Sequence, residues 1–75
     1  MVPGVLQPLL LVVPELTDRC DRCGAPARLT VAVRTGGTLA LCGHHANRYS
    51  ESILRCAAQV TTEDGFDWRG SPQAG

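Results

Sequence analysis

Two short motifs constrain this chain more than anything else in it: Cys20-Asp21-Arg22-Cys23 and, eighteen residues further on, Cys42-Gly43-His44-His45. Thiolate sulfur and imidazole nitrogen suit Zn²⁺, which takes four such ligands in a tetrahedron. Two cysteines with two residues between them turn inward from one tight knuckle, and Gly24 after the second supplies the positive φ that such a turn uses. Cys42 and His45 are three apart, so they share a face if the first turn of a helix begins there. The two motifs together predict one structural zinc held by Cys20, Cys23, Cys42 and His45, with His44 as the alternative fourth ligand.

The chain has 75 residues, which is one small domain at most. A chain of this size buries a thin core and commonly needs a staple. Metal would be that staple here. Four cysteines also admit two disulfides in a secreted protein, but the paired ligand spacing favours metal. The first ten residues carry no Lys or Arg, and Pro3 and Pro8 interrupt them, so no secretory leader is expected. No apolar run approaches the roughly 20 residues that span a bilayer. The expected setting is a soluble protein in a reducing cytoplasm.

Net charge is zero, unevenly spread. Every basic residue is Arg. Between Arg19 and Arg55 six Arg face only Asp21 and Glu51, while the flanks carry Glu15, Asp18, Glu63, Asp64 and Asp67. A mildly basic centre with acidic ends weakens a nucleic-acid reading without removing it.

Residues 1–17 form an apolar arm punctuated by Pro3, Pro8 and Pro14, with Leu9-Leu10-Leu11-Val12-Val13 between the last two. Three readings stay open for it: a short strand on a sheet edge, an extended arm for a partner, or a loose extension. Residues 18–61 read as the zinc domain. Leu29, Val31 and Val33 alternate with Thr30 and Ala32, a half-buried strand. Gly36-Gly37 predicts a hairpin turn, and Leu39-Ala40-Leu41 returns to deliver Cys42. A helix is expected from about His44 to Val60, because Ala46, Tyr49, Ile53, Cys56 or Ala57, and Val60 recur at three- and four-residue steps. Cys56, about 16 Å along that helix from His45, cannot reach the same zinc and is expected in the core. Residues 62–75 read as an acidic, flexible tail whose Phe66 and Trp68 are either partner contacts or part of an ordinary tail.

Knuckle, hairpin, then a helix bearing the last two ligands is the order of a treble-clef-like zinc domain, a small α+β fold. Catalytic zinc keeps a position open for water and a general base close by. Four ligands close the shell here. A deaminase needs a Glu two residues after its His ligand, and Asn47 stands there. An enzyme with a small-molecule substrate is therefore not expected.

The stretch Asp18-Arg19-Cys20-Asp21-Arg22-Cys23-Gly24-Ala25-Pro26-Ala27, the Gly36-Gly37 turn and Leu41-Cys42-Gly43-His44-His45-Ala46-Asn47-Arg48-Tyr49 resemble a family of small actinobacterial proteins classed only as a domain of unknown function. The resemblance covers about Thr17 to Val60. It implies an intracellular zinc-binding domain with metal roles at Cys20, Cys23, Cys42 and His45, and it implies no activity. The expectation that follows is a non-enzymatic adaptor or regulator of proteins, with transcription as one setting and Phe66, Trp68, Arg19, Arg22 and Arg48 as candidate contacts. The alternative is a nucleic-acid-binding finger that uses the Arg-rich face.

Overall fold

A computed structural model describes residues 8–71. The parts of the expected arm and tail at residues 1–7 and 72–75 lie outside the described residues. The elements run β1 (Leu9–Val13), β2 (Leu29–Val33), β3 (Thr38–Leu41), α1 (Gly43–Arg48), α2 (Ser50–Cys56) and β4 (Ala57–Glu63). The fold is a small α+β domain: one four-stranded sheet in the order β1-β4-β2-β3, and two short helices. No helix among these residues is long and apolar enough to cross a membrane.

The expected hairpin is present. β2 and β3 are antiparallel, pairing Leu29 with Leu41 and Ala32 with Thr38. Gly36 and Gly37 turn the chain at φ 108° and 88°, a region that side chains with a Cβ disfavour. The Gly36 N–H donates to the Val33 carbonyl and the Val33 N–H to Gly37, closing the turn.

The single long helix expected over residues 44–60 is not formed. α1 stops at Arg48, Tyr49 takes φ −105° and ψ 21°, and α2 resumes at Ser50. After Cys56 the chain turns extended and becomes β4. The stripe read from the sequence does mark burial: Ala46, Ile53, Ala57 and Val60 are all in the core. Its last members belong to a strand, however. Val60-Thr61-Thr62 is a β-branched run that favours extended backbone. β4 also lies between β1 and β2, so both rows of its backbone groups find partners. That non-local pairing outweighs the helical preference of Ala57-Ala58-Gln59. Cys56, expected in the core, is exposed.

The apolar arm resolves in favour of its strand reading. β1 pairs in parallel with β4, Leu9 with Gln59 through to Val13 with Glu63. The Asp64 N–H donates to the Val13 carbonyl, and Glu63 accepts the Leu16 N–H at 3.0 Å and meets Arg28 at 2.6 Å.

The tail reading is overturned more sharply. Trp68 is fully buried beside Leu29, Val31 and Val60, and its indole N–H donates to the Ala46 carbonyl at 2.8 Å. Phe66 packs against Gly43 and Arg28. The Arg69 N–H donates to Asn47 Oδ1. An acidic composition alone suggests a solvated segment. Here one large aromatic ring is taken into the core beside α1.

Candidate metal centre

The knuckle is built by local hydrogen bonds. The Gly24 N–H donates to the Cys20 carbonyl and the Cys20 N–H to Ala25, while Arg19 and Pro26 form an isolated bridge at its base. Gly24 sits at φ 78°, as the knuckle requires. The knuckle is then tied to the sheet. The Asp21 N–H donates to the Ala40 carbonyl, and the Ala40 N–H donates back to Asp21 Oδ2, both at 2.8 Å. β3 ends at Leu41, so Cys42 becomes the N-cap of α1, and the Ala46 N–H donates to its carbonyl. His45 follows in that first turn.

These pieces bring the four residues together. Donor atoms of Cys20, Cys23, Cys42 and His45 all lie within 4.8 Å of one another. Cys23 Sγ lies 3.7 Å from Cys42 Sγ. His45 Nδ1 lies 3.5 Å from Cys20 Sγ and 3.4 Å from Cys42 Sγ. A tetrahedral Zn²⁺ with bonds of about 2.3 Å to sulfur and about 2.0 Å to nitrogen has edges of about 3.8 Å and about 3.5 Å. The spacing and the donor chemistry thus fit one metal ion such as zinc. His44 is not in the cluster; it is exposed, its ring edge-on to His45 at 5.2 Å.

The site favours thiolate at Cys20. Burial pushes its thiol up, but the backbone N–H groups of Cys42, Arg22 and Cys23 and the Cys23 side chain outweigh burial and bring it from 9.0 to about 6. The Arg22 N–H donates to Cys20 Sγ at 3.4 Å. At Cys23 the Ala25 N–H pulls down. Burial, the hydrogen bonds to Cys20 and Cys42 and the Cys20 charge prevail and push its thiol up. Adjacent sulfurs with no cation between them resist holding several negative charges, and a divalent ion removes that conflict.

Of the other candidate residues, Arg22 and Arg48 converge on Tyr49, with guanidinium carbons 5.2 Å and 5.8 Å from its ring centre. Tyr49 in turn stacks on His45 at 6.0 Å and 8°. Arg19 stays at the knuckle, its Nη1 donating to the Gly24 carbonyl. Phe66 packs on Gly43 and Trp68 bonds to the Ala46 carbonyl, each contact one residue from a member of the cluster, and Trp68 is inaccessible.

Two features were missed in the sequence. One is Asp21, whose clamp on Ala40 has only the modest signal of an acidic residue inside a Cys-x-x-Cys turn. The other is a groove of about 390 Å³ lined by Asp21, Arg22, Leu39, Leu41, Tyr49 and Ile53 among others. Nothing local in the sequence joins β3 to α2, so no signal could have found it.

A family profile described as "Domain of unknown function (DUF7455)" matches residues 14–67. No curated protein and no solved structure matches the chain. The matched stretch spans the knuckle, β2, β3, both helices and β4, and leaves β1 and Trp68 outside.

Proposed function

The chain belongs to this family of unknown function, and on the geometry of its site we propose that it is a non-enzymatic zinc module, treble-clef-like in its arrangement, that acts as a protein-interaction adaptor or regulator in the cytoplasm. Knuckle ligands from one loop and helix-start ligands from the β3–α1 junction support the treble-clef reading. Four clustered Cys and His donors support a structural metal, since together they would fill the shell that a catalytic ion leaves open.

One observation carries the interaction reading: the apolar groove beside the metal. Leu39 is 43% exposed within it, and Arg22 stands at its rim with no carboxylate partner among the described residues. Apolar lining beside a guanidinium that no carboxylate neutralises fits a partner segment that is apolar and acidic. The contacts therefore move from Phe66 and Trp68 to Arg22, Leu39 and Tyr49. A displayed-peptide selection on the zinc-loaded chain tests this. Enriched acidic–apolar binders that are lost with Leu39→Asp and weakened by Arg22→Glu support it. Binders indifferent to both substitutions, or none above background, sink it.

The nucleic-acid reading draws on the convergence of Arg22 and Arg48 on Tyr49. It requires affinity for single- or double-stranded nucleic acid that falls linearly in log–log salt and weakens with Arg48→Ala.

A further inference from the structure

The sheet has two outer edges, and the chain treats them differently. At β3 the outward groups of Ala40 are both taken by Asp21. At β1 no such cap exists among the described residues. Exposed edges invite pairing, and proteins ordinarily blunt them with charges, bulges or coverings. β1 is Leu9-Leu10-Leu11-Val12-Val13, with no charge and no polar side chain. Leu9, Leu11 and Val12 are 58%, 41% and 67% exposed, three of the four exposed large hydrophobics in the described chain.

The backbone shows which groups are free. The Val13 carbonyl accepts from Asp64, and the Leu11 carbonyl faces Thr62 Oγ1 at 3.5 Å, so these residues turn their polar groups toward β4. Strand groups alternate. Leu10 and Val12 therefore present their N–H and C=O outward. Pro8 and Pro14 come two residues out on either side and have no N–H to offer. The prolines confine pairing to two donors and two acceptors.

We propose that this edge is the seam of a homodimer, in which β1 pairs antiparallel with β1 of a second copy about a two-fold axis at Leu11. In that register Leu10 faces Val12 of the other copy and exchanges both hydrogen bonds with it, twice over, and proline stands opposite proline. Leu11 faces its own counterpart, and Leu9 faces Val13, so every side chain across the seam is apolar. A second copy is the occupant this edge fits. The strand is complementary to itself, it offers no charge that would select a foreign sequence, and a formal net charge of zero leaves two copies without repulsion. β1 lies outside the residues that the family profile matches. The seam is five residues long and falls below the roughly 1,200 Å² of a stable interface, so association is weak and concentration-dependent.

Sedimentation equilibrium of the full chain with zinc, from about 10 to 500 µM, reads this directly. The average mass is expected to climb from monomer toward dimer. Val12→Pro removes one outward donor per copy and none of the bonds to β4, and is expected to weaken association about tenfold or more. Leu11→Lys sets two ammonium groups against each other on the axis and is expected to abolish it, which keeps the test valid should the proline variant fail to fold. A single monomer mass throughout overturns the proposal, as does association that survives both substitutions.

Discussion

Trp68→Ala is the substitution that most directly tests how this domain is held together. Trp68 is fully buried and is hydrogen-bonded to the Ala46 carbonyl in α1, one residue from His45. Truncating a buried Trp to Ala costs about 3–5 kcal/mol. A domain of this length has roughly 4–11 kcal/mol in total at about 0.05–0.15 kcal/mol per residue. The loss therefore removes a large part of the stability. Where metal-free protein is largely unfolded, metal binding and folding are one equilibrium. The same 3–5 kcal/mol then appears as an apparent zinc affinity lower by about two to three and a half orders of magnitude, at about 1.4 kcal/mol per tenfold. Trp68→Phe keeps most of the bulk and gives up the hydrogen bond, so it should lose about tenfold or somewhat more. Competition against a chromophoric chelator measures both, with far-ultraviolet circular dichroism following the fold. Zinc affinity within about threefold of the parent for Trp68→Ala, with an unshifted melt, would refute the reasoning.

Cys23→Ser, or a strong chelator, is expected to abolish the cooperative melt; a near-native transition would show that the fold does not need the metal. His45→Ala should lower metal affinity by about a hundredfold or more, while His44→Ala should leave it within a few-fold, and the reverse order would move the ligand assignment to His44. Acidification should release the metal, because protons compete for three sulfurs and an imidazole. Metal content unchanged to about pH 4 would contradict this. Asp21→Ala should cost about 1 kcal/mol in urea denaturation, whereas Asp21→Asn keeps an acceptor for the Ala40 N–H and should cost less.

The metal cluster and the hairpin were legible in the sequence because both are local. Two residues separate Cys20 from Cys23, and two separate Cys42 from His45, so each pair is placed by a single turn. Alternation from Leu29 to Val33 and the Gly36-Gly37 turn likewise depend on neighbours a few residues apart. The failures lie where partners are distant. Ala57 to Val60 carries helical spacing as well as strand-forming residues, and the choice between them falls to pairing with β2 and β1, whose residues lie up to about fifty positions away. Periodicity recorded which side chains are buried and misjudged the backbone that buries them.

Trp68 shows the same limit in a stronger form and explains why the site depends on the whole fold. Read locally, Asp67-Trp68-Arg69 is a charged segment with a single ring. Its burial depends on a space bounded by α1 and the sheet, which exists only once β4 has taken its central place. Three fixings then hold α1 and the knuckle that faces it. Cys42 joins it to β3, the Asp21 clamp holds the facing knuckle to Ala40, and Trp68 holds its middle at Ala46. His45 lies between the first and the third of these. A metal ligand held this way keeps its geometry only while the sheet and the C-terminal segment are both in place. Zinc affinity in this chain should therefore report on substitutions well outside the four ligands, and more strongly for Trp68 than for exposed neighbours such as His44.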